Sequence, residues 1–257
     1  MSFENQVVLI TGASAGIGSA CVEYFAKQGA LLALVGRNEK KFGKIVRKIK
    51  GYGITNEPLV IIADVSVDSE RIISETIEQY GRLNILINNA GFSIPGSIET
   101  LKMDDYDAMM ATNVRAVVEL TQQAIVHLVE TKGNIVNVSS VAGITSNPNI
   151  LAYSMSKAAL DQFTKCAAME LAPKEVRVNA VVPSFIDTDF YAGHGLERGG
   201  DEYSALVEAN INAHPLERIG YTKDCVNAIA FLAKDSSNFI TAVLLPVDGG
   251  ISSKGAF

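Results

Sequence analysis

Between Ser140 and Lys157 the chain reads SVAGITSNPNILAYSMSK, a hydroxyl, a phenol and an ammonium at spacings that suit one reaction. Tyr153 and Lys157 are four residues apart, about one helical turn, so they share a helix face. A free phenol has a pKa of about 10 and is a poor acid or base near neutrality. A cation held close favours the phenolate, so Lys157 is expected to lower the Tyr153 pKa toward working pH. A phenol so tuned can exchange a proton with a carbonyl or alcohol oxygen. Ser140 could hydrogen-bond that same oxygen. Ordinary amphipathic helices also carry Tyr-x-x-x-Lys, so the pair gains meaning only from the elements that position it.

Those elements alternate. Short apolar, β-branched runs at 7–10, 31–35, 59–62, 84–87, 134–138, 176–182 and 242–247 read as strands. Helical patterns lie between them: one running through Gln28, then 38–51, 68–80, 103–131, 151–171 and 223–233. This order predicts an α/β fold, a seven-stranded parallel sheet with helices on both faces. Ligands in such sheets sit at the carboxyl ends of the strands. Gly12, Arg37, Asp64, Asn89, Ser140 and Pro183 all fall at such ends. That coincidence argues for an enzyme more strongly than any single motif.

The first strand runs into Thr11-Gly12-Ala13-Ser14-Ala15-Gly16-Ile17-Gly18 and then a helix with Cys21, Val22, Phe25 and Ala26 facing inward. Gly12 permits a tight turn, Gly16 lets a pyrophosphate approach the backbone, and Gly18 allows close helix–strand packing. The helix N-terminus then offers free N–H groups to an anion. A carboxylate about 20 residues onward would select NAD. Gly36 and Arg37 stand there instead, and a guanidinium can grip a 2′-phosphate, so NADP(H) is favoured and NAD(H) is the alternative. Asp64 suits either an adenine amino group or the cap of a turn. One of Asn88 and Asn89 can fix the neighbouring strand, and Asn113 can bend its helix and hold a water. The lysine-rich helix at 38–51 reads as a solvated face.

Composition narrows the class. The 257 residues are 48% hydrophobic and 19% charged, as in a globular protein, with no repeat or linker, so a single domain over 1–257 is expected. A net charge of −6 argues against nucleic acid or an anionic membrane as partner. No apolar run is long enough to cross a bilayer, and the strand pattern from Val7 leaves no room for a signal peptide. Three separated cysteines read as reduced thiols, so a cytoplasmic protein is expected; three histidines without ligand spacing predict no metal site. Residues 184–214 scatter Phe185, Phe190, Tyr191, Leu196, Tyr203 and Leu206 among Gly and charge. They read as a mobile substrate loop over an apolar pocket, or else as a surface excursion.

From Val7 to about Gly250 the chain resembles the classical short-chain dehydrogenases/reductases. The resemblance rests on TGASAGIG at 11–18, DV at 64–65, NNAG at 88–91, Asn113, Ser140, YSMSK at 153–157 and VDGG at 247–250. It implies a Rossmann-type, doubly wound sheet in the order 3-2-1-4-5-6-7 and a catalytic tetrad of Asn113, Ser140, Tyr153 and Lys157. It also implies cofactor contacts from Gly12, Ser14, Ala15, Gly16, Ile17, Gly18, Arg37, Asn38, Asp64, Val65, Asn89, Ala90 and Gly91. Further contacts would come from Tyr153, Lys157, Pro183, Ser184, Ile186 and Thr188. In the family, helices like 103–131 and 151–171 build a homotetramer or homodimer. Two departures stand out: Ser184 follows Pro183 where glycine is usual, and Ala15 replaces a basic residue that many NADP-dependent members carry. The expected activity interconverts an apolar ketone or aldehyde and its alcohol, with a steroid, terpenoid or acyl-type ketone as substrate. Phe92, Ile94, Ile144 and Ile150 would line the pocket. An NAD-dependent alcohol dehydrogenase and a non-catalytic dinucleotide sensor are the alternatives.

Overall fold

The computed structural model describes residues 2–54 and 56–254. Among them, seven strands form one sheet: β1 (Val7–Thr11), β2 (Leu31–Gly36), β3 (Leu59–Ile62), β4 (Ile85–Asn88), β5 (Asn134–Val138), β6 (Arg177–Pro183) and β7 (Leu244–Val247). Their order is β3-β2-β1-β4-β5-β6-β7 and every pair is parallel. Alternate residues of a strand face opposite ways, and both faces are covered, so the strands are apolar throughout. Val8, Ile10, Leu32 and Leu34 pack on α1 (Gly16–Lys27), α2 (Glu39–Lys50) and α8 (Thr222–Ala233). Val7, Leu9, Ala33 and Val35 face the other way, onto α3 (Ser69–Tyr80), α5 (Ala116–Thr131) and α6 (Leu151–Leu171). The inward set expected for α1, Cys21, Val22, Phe25 and Ala26, is buried. The chain order reverses between β1 and β4, which opens a crevice above their carboxyl ends.

Two expectations are corrected. The long helix at 103–131 is two helices, α4 (Met103–Met110) and α5, joined by one π-helical turn at Ala111–Arg115 centred on Asn113. The stretch 184–214 is not irregular. It holds a 3-10 turn at Asp189–His194 and the thirteen-residue helix α7 (Asp201–Ala213). Tyr203, Leu206, Val207 and Ile211 recur at helical spacing and pack on Phe185 and Ile219. The stripe serves a small separate cluster, not the main core, and so reads as scatter in one dimension. Ala167 and Ala168 are buried within the chain, while Ala158 is exposed. No helix among the described residues is long and apolar enough to cross a membrane.

Candidate active site

The glycine turn after β1 is shaped by close approach. Gly12 has φ +62°, and a Cβ there would lie 2.8 Å from Asn89 Nδ2 and 2.9 Å from the Ala90 Cα. Gly16, at φ +51°, opens α1. The capping position, Ala15, offers no side-chain acceptor, and the first turn has no acidic residue. The N–H groups there lack the usual side-chain partner, and the helix dipole favours an anion. Asn89 holds this turn against β4, donating through Nδ2 to Thr11 O at 2.9 Å and Gly12 O at 3.2 Å. Ala90 N donates to Thr11 Oγ1 at 3.0 Å. From the other side Thr188 Cγ2 comes within 3.4 Å of where a Gly16 Cβ would stand. The segment after β6 therefore closes over the turn, a cradle that fits a pyrophosphate. Ile17 faces the core, and Ser14 Oγ approaches Gly36 at the end of β2.

At that end Arg37 and Asp64 meet. Arg37 Nη1 lies 3.3 Å from Asp64 Oδ2, with the Arg37 side chain 76% exposed. Asp64 also accepts from Ser66 N at 3.0 Å and Ser66 Oγ at 2.7 Å, the turn-capping geometry. Partial burial works against its ionised form, but the Ser66 bonds and Arg37 outweigh that and hold its carboxyl below the usual range. Asn38 caps α2, accepting from Lys41 N at 3.0 Å, and Val65 is buried beside Asp64.

Asn113, Ser140, Tyr153 and Lys157 come from two elements, the π turn and α6, and one loop, that after β5. Ser140 follows β5 and accepts from Ala142 N at 3.2 Å, which sets the 3-10 turn after it. Tyr153 and Lys157 are one turn apart on α6, both buried, with Lys157 Nζ 5.6 Å from the Tyr153 ring centre. Lys157 Nζ donates to Val138 O at 2.8 Å. Asn113, in the π turn, clamps the loop after β4: it accepts from Phe92 N at 3.1 Å and donates to Phe92 O at 2.9 Å. Its Nδ2 also donates to Ser156 Oγ at 3.0 Å. Gly91 leaves room for this group, since a Cβ there would stand 3.1 Å from Asn113 Oδ1 and 3.6 Å from Lys157 Nζ.

Burial is the largest influence on both groups. Burial pushes Tyr153 up to about 12, and its hydrogen bond with Ser140 only partly opposes this. Burial also pushes Lys157 down to about 8 against the pull of the Asp161 carboxylate. Desolvation penalises both charged forms and is the larger cause of each shift.

Phe92, Ile94, Ile150, Met109 and Phe190 pack around Tyr153, and the Phe190 ring lies 5.7 Å from the Tyr153 ring. Ile144 stands apart, half exposed, outside this cluster. Pro183 ends β6, Ile186 is buried, and Thr188 caps the turn that carries Phe190. Ser184 points its hydroxyl at His214 Nε2, 2.8 Å away, so its side chain is turned toward α7. Sequence reasoning passed over His214. Its signals were the buried-helix spacing before it and Pro215 after it. Asn88 fixes the neighbouring strand, as expected for one of the paired amides, and begins a buried amide chain: Asn88 Nδ2 donates to Asn137 Oδ1 and Asn137 Nδ2 to Thr164 Oγ1, each at 2.9 Å. This chain ties β4 to β5 and β5 to α6 beneath the site.

Residues 12–252 match the family model described as Enoyl-(Acyl carrier protein) reductase. An uncharacterised oxidoreductase of Thermotoga maritima is 36% identical over 251 residues, 97% of this chain and 98% of that protein. A 3-oxoacyl-(acyl-carrier-protein) reductase of the same organism is 33% identical, covering 98% of this chain and 99% of that protein. A short-chain dehydrogenase/reductase of Caenorhabditis elegans, solved with cofactor, superposes with a TM-score of 0.92 at 33% identity, covering 100% of this chain and 98% of that one. The chain belongs to the classical short-chain dehydrogenase/reductase family. As a member it is an oxidoreductase that takes a nicotinamide dinucleotide, and the glycine cradle and uncapped α1 fit that group.

Proposed function

We propose that the protein is an NADP(H)-dependent reductase that interconverts an apolar ketone or aldehyde and its alcohol. The geometry that carries this reading is the pairing of Tyr153 and Lys157, both buried one turn apart on α6, with Phe92, Ile94, Ile150 and Phe190 packed around the phenol. When bound, the reduced nicotinamide supplies a hydride to a carbonyl carbon. Tyr153 donates its proton to the oxygen of that carbonyl as negative charge develops there. Ser140 hydrogen-bonds the same oxygen and stabilises the charge. Lys157, one turn on, keeps a cation within reach of the phenolate left behind. Asn113 fixes Phe92 and so shapes one wall of the pocket. The turn at 12–18 and Thr188 would hold the pyrophosphate, with Asn89, Ala90 and Gly91 below it. Ser14, Arg37, Asn38, Asp64 and Val65 would hold the adenosine end. Tyr153, Lys157, Pro183, Ser184 and Ile186 would hold the nicotinamide half.

The NADP(H) preference rests on Gly36 and the exposed Arg37 at the end of β2. A second reading, an NAD-dependent alcohol dehydrogenase, is favoured by the Arg37–Asp64 contact, which places a carboxylate beside that guanidinium. Exposed pairs of this kind are worth less than about 1 kcal/mol, so a 2′-phosphate can outcompete it. Met103, Val126, Met155 and Met169 are exposed apolar residues of α4, α5 and α6, which supports a homodimer or homotetramer. The three free cysteines suit a reducing cytoplasm. Oxidation of NADPH is to be followed against a panel of apolar ketones and aldehydes, with NADH as control. Turnover at least about tenfold faster with NADPH is expected. A preference for NADH would select the second reading, and binding without any turnover would end the enzyme reading.

A further inference from the structure

Asp161 stands one helical turn after Lys157, so Tyr153, Lys157, Asp161 and Lys165 follow one another along a single line of α6. Lys165 is exposed at the far end, whereas Asp161 is buried, 5% exposed. Both oxygens of its carboxylate are sealed from solvent and neither has a hydrogen-bond partner. Burying a carboxylate is costly unless a cation or donors compensate it. The Ser139 hydroxyl beside it is turned to Lys157 O at 3.5 Å. Packing holds the group in place: Gly143 ends the 3-10 turn after Ser140, and a Cβ there would stand 2.6 Å from Asp161 Oδ2. Burial raises the Asp161 pKa, while Ser139, Lys157 and Lys165 act in the opposite direction. Lys157 Nζ for its part donates to Val138 O, a neutral group that leaves its charge uncompensated. The elements packed on this line bring little other charge. The turn Val141–Gly143 and β5 carry no titratable side chain. Tyr106 of α4 and Tyr191 of the segment after β6 lie on the phenol's side. Arg177 of β6 is turned away to Leu232 O and Ile240 O, and Arg115 of the π turn is exposed and paired with Glu119.

We infer that Asp161 is a positioning residue for the proposed reaction: its buried carboxylate, one turn beyond Lys157 on α6, supplies the counter-charge that holds Lys157 as an ammonium beside the phenol. The inference rests on the proposed reductase reading, in which the Lys157 cation stabilises the phenolate left when Tyr153 gives up its proton. A neutral amine would not do this. Because no local donor takes up the charge of Asp161, its field falls on the amine through a poorly screening interior. With the carboxylate in place Lys157 already sits at about 8, so its charge in mildly alkaline solution depends on Asp161. A glycine at 143 suits the same purpose, since a larger residue would displace either the carboxylate or the turn that aims Ser140.

Asp161→Asn keeps the shape of the side chain and removes its charge, and two pH titrations of the intact protein test the result. In carbon NMR of lysine-labelled protein without cofactor, the Lys157 signal is assigned by its loss in Lys157→Met. It should titrate about one pH unit lower in Asp161→Asn than in the wild type. The alkaline fall of kcat/KM for NADPH-dependent carbonyl reduction should move down by a similar amount, and the two enzymes should converge as the pH falls below neutrality. Asp161→Glu, which keeps the charge, should hold both curves nearer the wild type. Asp161→Leu replaces the buried charge by an apolar group of similar volume and should repeat the shift if the Asn variant folds poorly. A Lys157 titration and an alkaline limb unmoved in both the Asn and Leu variants would overturn the inference. So would an equal loss of turnover at every pH with a lowered melting temperature, which would mark Asp161 as merely structural. A wild type that turns over no carbonyl would overturn the role in the reaction together with the reductase reading; a Lys157 titration that still moves in Asp161→Asn tells that failure from the first.

Discussion

Tyr153 and Lys157 show how burial decides the role of an ionisable pair. Desolvation raises the phenol's pKa and lowers the amine's, each against a weaker neighbour, Ser140 for one and Asp161 for the other. Tyr153→Phe should lower turnover by about 10²–10⁴-fold while cofactor binding, read by NADPH fluorescence, is retained. Retained turnover would remove Tyr153 as the acid. The Lys157 shift also makes a stability prediction. The amine titrates near 10.5 unfolded and about 8 folded, so the unfolded chain holds more protons between those values. Stability must then rise with pH across that window. Lys157→Met abolishes this rise, which amounts to something on the order of 2 kcal/mol, and comparison of melting temperatures from pH 7.5 to 10 would reveal it. At the far end of the crevice, Arg37→Asp should weaken NADPH binding by about tenfold or more and leave NADH binding within about twofold. Equal losses would mean that Arg37 does not read the phosphate.

Among the elements, the π turn at Ala111–Arg115 matters most to the site. One extra residue in the helix turns Asn113 toward the loop after β4, where both backbone groups of Phe92 and the Ser156 hydroxyl are its partners. Such turns collect at functional sites because a straight helix would aim the side chain elsewhere. Asn113→Ala leaves those groups unpaired, and urea denaturation should show a loss of about 2–3 kcal/mol. Asn113→Asp cannot donate to Phe92 O and should not rescue it. The helix α7 follows a different logic. It is fixed by Tyr203, Leu206 and Ile211 on a small cluster, and by Tyr203 Oη donating to Asp187 at 2.8 Å, beside the Arg198–Asp187 ion pair. It is a folded cover whose contacts are its own, and a one-dimensional pattern without the main core as reference does not disclose it.

At the scale of the whole molecule, the doubly wound sheet gathers groups from all along the chain at one rim. It also leaves Met103, Val126, Met155 and Met169 exposed on α4, α5 and α6. Val126→Glu combined with Met169→Glu should lower the assembly mass measured by analytical ultracentrifugation to that of a smaller unit, without altering the circular dichroism of the fold. An unchanged mass would mean that these positions are not the contact. The sequence by itself determined the strand–helix alternation, the glycine turn and the sheet order implied by family resemblance, and it named the residues that the fold then brings together on α6 and beside it. Local periodicity and glycine chemistry act over a few residues and are written in one dimension. Only the tertiary structure decided the π turn, the helix α7, the Ser184–His214 contact across 30 residues, and the burial of Tyr153 and Lys157. Each of these depends on what packs against a group from distant parts of the chain, and desolvation acts through that surrounding and not through sequence neighbours.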